Sequence, residues 1–253
     1  MGNLEGKVAI VTGAARGLGA AYCVALAREG AAVMATDIRE CAETVAAVVA
    51  AGGRAVGTTA DVANANSATT VADAALQAYG RIDILVNNAA MYGNLHAGRF
   101  HTLDEAEWDA CMAVNVKGLW QCCKAVVPTM QQQGGGSIIN ISSLAAVYGI
   151  ANALHYATSK GAVIGFTRAL ARELGRDNIR VNAIAPTMVD TPGTSEMMKE
   201  NRERFAEAVK RNQTLRKTLE TEDLEGTVLY LASDMSKFVT GQTIMVDGGT
   251  VYL

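Results

Sequence analysis

The chain has 253 residues, of which 50% are hydrophobic and 19% are charged, and its formal net charge is −3 at pH 7. This balance excludes an intrinsically disordered chain, and the composition is unlike that of collagen or a coiled coil. Apolar runs are broken by polar residues well short of the length of a membrane span, and Lys and Arg form no basic stripe. We therefore expect neither a membrane nor a nucleic acid as a partner.

Short apolar runs alternate with longer segments of helical spacing. The predicted strands are Val8–Val11, Ala32–Thr36, Ala55–Thr59, Ile82–Val86, Ser137–Ile141, Arg180–Ile184 and Thr243–Val246. The predicted helices are Gly17–Arg28, Glu40–Ala51, Ser67–Tyr79, Asp104–Met130 and Ala153–Leu174, followed by a last helix before the final strand. Continuous apolar strands predict burial on both faces, and strand–helix alternation predicts βαβ units, a parallel sheet and a single α/β domain over residues 1–253.

One segment departs from this alternation. Thr187–Glu222 is highly charged and carries Met197, Met198 and Phe205 at helical spacing. Long excursions between packed elements often cover a binding site, so we predict a helical lid over the substrate here.

The segment Met1–Lys7 has neither the basic start nor the apolar stretch of a secretory signal. The five cysteines are odd in number and show no C-x-x-C spacing, and the three histidines are scattered. These features are typical of reduced thiols in a cytoplasmic protein and predict no metal site.

The first strand–helix junction has the spacing G-x-x-x-G-x-G. Gly13 permits a tight turn, Gly17 lets the backbone approach a pyrophosphate, and Gly19 lets the helix pack close to the sheet. The amides and dipole at the start of that helix favour a phosphate charge, so the loop predicts a dinucleotide cofactor. The predicted cofactor-binding positions in this loop are Gly13, Arg16, Gly17, Leu18 and Gly19.

Asp37 ends the second strand, 18 residues after Gly19. From there its carboxylate can accept hydrogen bonds from the adenosine ribose hydroxyls, and it would repel a 2′-phosphate. Arg16 favours NADP instead, since a basic residue in this loop could contact that 2′-phosphate. Because Asp37 would have to be neutralised before a phosphate entered, the pattern favours NAD over NADP.

Tyr156 and Lys160 are four residues apart and share one face of a predicted helix. A nearby ammonium stabilises a phenolate and lowers the tyrosine pKa, so this pair predicts a general acid/base acting on an alcohol or ketone. Ser143 lies 13 residues before Tyr156, at the carboxyl end of a predicted strand, where open α/β sheets bind ligands. Ser142 is the competing candidate, and the spacing favours Ser143.

With these motifs in order, the chain resembles the short-chain dehydrogenase/reductase family in its single-domain form. The matching motifs are Thr12–Gly19, Asp61-Val62, Asn87–Ala90, Asn115–Gly118, Ser143, Tyr156 with Lys160, Pro186–Thr191 and Val246–Gly249. The resemblance implies a Rossmann-type, doubly wound parallel sheet of about seven strands with helices on both faces.

The resemblance also implies a role for each matched catalytic position. Tyr156 is the general acid/base and Ser143 hydrogen-bonds the substrate oxygen. Lys160 holds the nicotinamide ribose and tunes Tyr156, while Asn115 bends its helix and holds a water in a proton relay. Ser142 then packs behind Ser143.

The remaining matched positions are implied to bind the cofactor. Asp61 and Val62 flank the adenine, Asn88 lines the adenosine side, and Val189 with Thr191 binds the carboxamide. Two positions depart from the family pattern. Ala90 and Thr187 stand where the family commonly has Gly, and the second change puts the geometry carried over for the lid in doubt.

Residues after the motifs are candidates for the substrate pocket. They are Ser143, Leu144, Ala145, Tyr148, His155, Met188 and Met198, with Met91, Tyr92, Leu95 and Met197 as further candidates. The set is mainly apolar and flexible, which suits a medium-sized hydrophobic secondary alcohol or ketone. We expect His155 to pack or face solvent rather than to act as a second base.

Three functions fit the sequence. The first is a NAD-dependent secondary alcohol dehydrogenase, and the second is a 3-oxoacyl-thioester reductase that uses NADPH and an acyl carrier protein or CoA. The third is a non-catalytic cofactor-binding regulator, which the presence of Tyr156 and Lys160 disfavours. The family resemblance further implies a homotetramer formed through the two long helices and the C-terminal strand.

Overall fold

In the computed structural model, which describes residues 2–252, the short apolar runs form seven strands. They are β1 (Val8–Thr12), β2 (Ala32–Asp37), β3 (Arg54–Thr59), β4 (Ile84–Asn87), β5 (Gly136–Ile141), β6 (Ile179–Pro186) and β7 (Thr243–Val246). The strands lie in the order β3-β2-β1-β4-β5-β6-β7, and each neighbouring pair is parallel. The order reverses between β1 and β4, and ligands bind at the carboxyl ends of strands beside such a switch point.

The helices occupy both faces of the sheet. They are α1 (Gly17–Arg28), α2 (Ala42–Ala50), α3 (Ala65–Tyr79), α4 (Glu105–Met112), α5 (Leu119–Gln132), α6 (Ala145–Tyr148), α7 (Leu154–Leu174), α8 (Pro192–Met198), α9 (Arg202–Asn212) and α10 (Glu225–Ala232). This is the predicted doubly wound α/β architecture. In the described part of the chain, no helix is both long and apolar enough to cross a membrane.

Two apolar clusters form the core, one on each side of the sheet. Alternate residues of a strand point to opposite faces, so Ala9 and Val11 of β1 pack in one cluster while Ile10 packs in the other. The first cluster joins the sheet to α1 and α10, and the second joins it to α3, α5 and α7. Burial on both faces explains why the central strands are apolar at every position.

Strand β3 does not follow that pattern, because it lies at the edge of the sheet. Four of its six residues are exposed, although the sequence pattern predicts burial on both faces for the strands generally. An edge strand has a neighbour on one side only, which here is β2. Polar residues such as Arg54 and Thr59 are therefore tolerated in it.

The predicted helix Asp104–Met130 is interrupted. A π-helical turn at Ala113–Gly118 separates α4 from α5. The turn brings Gly118 against Val62, since a Cβ on Gly118 would lie 2.8 Å from a Val62 methyl and 3.0 Å from the Val62 carbonyl oxygen. Periodicity alone does not reveal this break, because a π turn inserts a single residue into an otherwise continuous helix.

The segment after β6 contains α8 and α9, which are the helical elements expected in Thr187–Glu222. A bridge between Val189 and Leu219 pairs its two ends. Leu215 N also donates to Gly248 O at 2.9 Å, which ties the segment to the loop after β7. The excursion is therefore anchored at both ends while its helices extend beside the carboxyl edge of the sheet.

Candidate active site

A cavity of about 640 Å³ opens at the carboxyl edge of the sheet. Most of the residues predicted from the sequence line it. They are Gly13, Arg16, Gly17, Leu18, Asp37, Asp61, Val62, Asn88, Ser143, Leu144, Ala145, Tyr148, Tyr156, Lys160, Met188, Val189, Thr191 and Met198. Five predicted positions lie outside this lining, namely Gly19, Leu95, Asn115, His155 and Met197.

The glycine-rich loop is built by close backbone contacts. Gly13 has φ +66°, and a Cβ there would lie 2.7 Å from the Ala89 Cα. A Cβ on Gly19 would lie 2.1 Å from the Gly13 carbonyl oxygen, so α1 can begin against the turn only if residue 19 has no side chain. Gly19 therefore acts beneath the loop as a packing position, which explains why it does not line the cavity.

Asn88 and Thr12 hold this loop in place. The Asn88 Nδ2 group donates to the carbonyl oxygens of Thr12 and Gly13, at 3.0 Å each. In return, the Thr12 hydroxyl accepts from the amides of Asn88 and Ala89 at 3.1 Å and 3.0 Å. These four bonds join the ends of β1 and β4 across the switch point, so the loop is organised before any ligand binds.

Asp37 lies at the end of β2 with its side chain almost fully buried. One carboxylate oxygen accepts from Ala15 N at 3.1 Å and the other accepts from Arg39 N at 3.0 Å. The Arg39 side chain approaches the same carboxylate, with Nε 3.5 Å from Oδ1. The carboxylate is thus fixed against the glycine-rich loop and faces the cavity, as a ribose-binding group requires.

Arg16 extends from the loop across the cavity to the segment after β6. Its guanidinium forms a two-pronged ion pair with Glu196 of α8. The hydrogen bond to Glu196 raises the pKa of Arg16, and the same bond lowers the pKa of Glu196. The two side chains are 37% and 44% exposed, so the pair lies at the rim of the cavity.

Tyr156 and Lys160 occupy the first turns of α7, on the face that meets the carboxyl ends of β5 and β6. Lys160 Nζ lies 5.8 Å from the centre of the Tyr156 ring and donates to the Ile141 carbonyl oxygen at 2.7 Å. The ring of Tyr92 packs against that of Tyr156 with their centres 4.9 Å apart. The phenol and the ammonium therefore share one wall of the cavity.

The two candidate serines have different environments. Ser142 is buried, and its hydroxyl donates to the Lys160 carbonyl oxygen at 2.9 Å, which fixes the strand end to α7. Ser143 is less buried, and its hydroxyl accepts from Ala145 N at 3.2 Å while lining the cavity. Both serines line the cavity, but the Ser142 hydroxyl already donates to Lys160, so the Ser143 hydroxyl is the one left to donate to a ligand.

Burial shifts the pKa values of both Tyr156 and Lys160. Desolvation raises the pKa of Tyr156 well above its ordinary value, and the nearby Ser143 hydroxyl partly opposes that shift. Desolvation lowers the pKa of Lys160 to about 8, so the amine remains protonated at neutral pH. Without a cofactor, burial therefore dominates the pKa of Tyr156. The lowering expected from Lys160 together with an oxidised nicotinamide ring stays a prediction for the protein with its cofactor bound.

Asn115 lies in the π-helical turn, behind the cavity wall. Its Oδ1 accepts from Met91 N at 2.7 Å, and its Nδ2 donates to Met91 O at 3.2 Å and to Ser159 Oγ at 3.0 Å. Both the oxygen and the nitrogen of the side-chain amide are therefore engaged in hydrogen bonds. It joins the loop after β4 to α7 one residue before Lys160.

His155 does not reach the cavity, which corrects its place among the substrate-contacting residues. Its ring is fully buried, with Nε2 3.6 Å from a carboxylate oxygen of Glu107 in α4. His155 and Tyr156 are neighbours on a helix and so point about 100° apart, which turns His155 towards α4. Glu107 also bonds His96, whose side chain is exposed.

Much of the rest of the lining is apolar, and these residues form an apolar wall of the cavity. It includes Tyr92, Leu144, Tyr148, Ile150, Met188, Met198, Phe205 and Val209. Leu95 and Met197, which the sequence also favours, lie outside it. Among residues 2–252, no group of three or more His, Cys, Asp or Glu side chains is arranged to hold a metal ion.

The residues present fit a dinucleotide. The cavity contains a glycine turn that a Cβ would fill, a fixed carboxylate at the end of β2 and a Tyr–Lys pair. Comparison with known proteins agrees, since a family profile described as enoyl-(acyl carrier protein) reductase matches residues 13–251. The chain belongs to the short-chain dehydrogenase/reductase family.

Relatives in this family are similar along their whole length. The chain is 40% identical to a 3-oxoacyl-[acyl-carrier-protein] reductase of Thermotoga maritima, over 98% of this chain and 99% of that protein. It is 38% identical to a 2-dehydro-3-deoxy-D-gluconate 5-dehydrogenase of Dickeya dadantii, over 98% and 96%. The crystal structure of carveol dehydrogenase from Mycobacterium avium in complex with NAD superposes with a TM-score of 0.92 at 34% identity, covering 99% of both chains.

These relatives establish the reaction class of the short-chain dehydrogenase/reductase described here. It is an oxidoreductase that acts on hydroxyl or keto groups with a nicotinamide cofactor. The substrates of the relatives differ from one another, so family membership leaves the substrate of this chain open.

Some lining residues of this family member were not predicted from the sequence. Arg39 follows Asp37 by two residues and could have been found from that proximity. Glu196 belongs to no motif and lies 180 positions from its partner Arg16, so only the folded chain brings the two together. Asn94 and Val209 likewise carry no local signal.

Proposed function

We propose that the protein is a NAD-dependent dehydrogenase that transfers a hydride between nicotinamide and a medium-sized, hydrophobic secondary alcohol or its ketone. The observation that supports this most strongly is that one cavity reaches both Asp37 and the Tyr156–Lys160 pair. We further propose that residues 1–253 form one catalytic domain in which Thr187–Glu222 serves as the substrate lid. A cytoplasmic location remains a prediction.

In this proposal Tyr156 is the general acid/base. During oxidation its phenolate accepts the proton of the substrate hydroxyl while Ser143 donates a hydrogen bond to the same oxygen. Lys160, protonated below about pH 8, attracts the phenolate and would hold the nicotinamide ribose. Bound NAD supplies the hydride acceptor, and its oxidised ring adds a second positive charge beside the tyrosine. Reduction of the ketone reverses each transfer.

Further residues hold the cofactor in place. Gly13, Gly17 and Leu18 would hold the pyrophosphate, while Asp61 and Val62 would flank the adenine. Asn88 orders the loop through its bonds to Thr12 and Gly13. Val189 and Thr191 would hold the carboxamide, and Asn115 positions the loop after β4 against α7.

Asp37 is the reason for choosing NAD. Its carboxylate is held by the amides of Ala15 and Arg39 and is 8% exposed, so it cannot turn away from an incoming ligand. Ribose hydroxyls can donate to it, whereas a 2′-phosphate would meet its negative charge in a poorly hydrated position. NAD use in turn favours oxidation of the alcohol as the working direction.

The apolar wall of the cavity supports a hydrophobic substrate. Methionine and aromatic side chains such as Met188, Met198 and Phe205 adapt to different shapes, and they present few groups that could pair with polar substituents. A sugar acid would leave most of its hydroxyls without partners on this wall.

The second candidate is a 3-oxoacyl-thioester reductase that uses NADPH. The relative of Thermotoga maritima favours it, as do Arg211, Arg216 and Lys217, which are exposed in the lid and could meet an acidic carrier. Lys210 is less available because it pairs with Glu207 at 2.9 Å. Asp37 argues against NADPH, so we rank this function second.

A screen of cofactor absorbance at about 340 nm tests the proposal. NAD and NADP are each combined with secondary alcohols, and NADH and NADPH with ketones and a 3-oxoacyl-CoA thioester. We expect the highest kcat/KM with NAD and an apolar secondary alcohol. Faster turnover of the thioester with NADPH would replace the first candidate with the second.

Tyr156→Phe tests the catalytic assignment and the regulator alternative together. We expect turnover to fall about 10²- to 10⁴-fold, because proton transfer is lost, while NADH binding measured by fluorescence stays unchanged. Near-normal turnover would show that Tyr156 is not the general acid/base. Binding of NADH without turnover of any screened substrate by the wild-type protein would favour a regulator.

A further inference from the structure

Glu196 has no role in the proposed reaction, yet it lies across the mouth of the cofactor cavity. Its carboxylate pairs with both terminal nitrogens of Arg16 and packs against Gly93, where a Cβ would lie 2.5 Å from Glu196 Oε2. The loop after β4 thus has a glycine at the point where this carboxylate passes over it. Arg16, Gly93 and Glu196 all line the cavity.

Two cations flank the ribose-binding carboxylate, and each is paired. Arg39 Nε lies 3.5 Å from Asp37 Oδ1, and Arg16 is held by Glu196 while it also interacts with Asp37. A 2′-phosphate placed at Asp37 would compete with the carboxylates for the same guanidinium groups. Arginine forms paired hydrogen bonds to phosphate as it does to carboxylate. The phosphate would therefore have to displace Glu196 from Arg16.

We propose that Glu196 is a second determinant of cofactor specificity, which disfavours NADP by occupying the Arg16 guanidinium. Asp37 excludes the 2′-phosphate by its own charge, and Glu196 removes the cation that would otherwise attract that phosphate. This inference rests on the proposed function, since it concerns the choice of cofactor at the same site. It places part of the selectivity in the lid, far in sequence from the glycine-rich loop.

The inference predicts that replacing Asp37 alone gives only part of the switch to NADP. Asp37→Ser releases Arg39 and removes the repelling charge, but Arg16 remains paired with Glu196. Adding Glu196→Gln keeps the size and shape of that side chain and removes its charge, which leaves Arg16 free for the phosphate. Exposed ion pairs are weak, so we expect a further gain in NADPH affinity of about fivefold.

The test measures dissociation constants for NADPH and NADH from the fluorescence of the bound cofactor. It compares Asp37→Ser with Asp37→Ser/Glu196→Gln, and each of these with the same protein carrying Arg16→Gln. We expect Glu196→Gln to lower the dissociation constant for NADPH and to leave that for NADH unchanged. In the proteins that carry Arg16→Gln, we expect Glu196→Gln to have no effect on NADPH binding. The same comparison with Asp37 intact provides a second measurement that does not depend on the Asp37→Ser protein folding.

Glu200→Gln is the matched control. Glu200 is exposed in the same segment, and within the described part of the chain it forms no ion pair. It should leave both constants unchanged. Three results would each overturn the inference. Glu196→Gln could raise the affinity for NADH and NADPH equally, raise the affinity for NADPH even without Arg16, or raise neither affinity.

Failure of the proposed function gives a different result. If the wild-type protein binds NADPH more tightly than NADH, the choice of NAD is wrong. The Glu196 comparison then still reports whether that carboxylate competes for Arg16, because it depends on the difference between two variants and not on the preference of the parent.

Discussion

Lys160 carries a stability cost that can be measured. Burial lowers its pKa from 10.5 to about 8, and its side chain is only 3% exposed. The folded state therefore binds its proton less tightly than the unfolded state does. Between about pH 8 and pH 10.5 the unfolded chain holds more protons, so this group makes the protein more stable as pH rises through that window.

The size of the effect follows from the shift. A difference of about 2.5 pKa units corresponds to about 3 kcal/mol at pH 7, where Lys160 is charged in both states. Lys160→Met removes this cost but also loses the hydrogen bond to the Ile141 carbonyl oxygen, which is worth about 1 kcal/mol. We therefore expect the variant to be about 2 kcal/mol more stable than the wild-type protein at pH 7, and nearly equal to it at about pH 10.

Urea unfolding without added cofactor, followed by circular dichroism at the two pH values, measures this difference. Tyr156 and the other titrating groups are common to both proteins, so their contributions largely cancel. Lys117→Met serves as the control, because Lys117 is exposed and its removal should give no pH-dependent change. A wild-type protein that is more stable than Lys160→Met at pH 7, or a difference that does not change with pH, would refute the reasoning.

Two predictions concern specificity and assembly. Asp37→Ser should raise the KM for NAD about 10-fold or more, since a charged hydrogen-bond acceptor is lost, and should improve use of NADP in the same absorbance assay; an unchanged ratio of the two cofactors would mean that Asp37 does not meet the ribose. We also propose a homotetramer formed through α4, α5, α7 and β7, which predicts a mass of about four chains by light scattering at micromolar concentration; a monomer there would contradict this arrangement.

Individual helices and strands show which parts of the fold can be predicted from the sequence. The bounds of α1 and β7 agree with the prediction, because a glycine turn or a short apolar run marks them plainly. The apolar pattern predicts one continuous helix over Asp104–Met130, and only the family resemblance implies a bend at Asn115. In the structure that residue lies in a π-helical turn and bonds Met91 in a loop 24 residues away, a contact that helical spacing does not encode. The exposure of β3 follows from its position at the sheet edge, which no single strand's pattern encodes.

The same division applies to the site. The glycine-rich loop, Asp37 and the Tyr156–Lys160 pair can be recognised in the sequence, because each depends on short spacings and on the chemistry of its own residues. The burial of His155 against Glu107 and the pairing of Arg16 with Glu196 depend on helices packed from distant parts of the chain.

The sequence by itself determined the family, the parallel sheet and the set of residues that can bind a dinucleotide and move a proton. The tertiary structure decided which of them meet in one cavity and in what electrostatic state. Burial raises the pKa of Tyr156 and lowers that of Lys160, because removing water penalises whichever form is charged. That loss of hydration arises only when α7 packs against the strand ends, so residue spacing cannot reveal it.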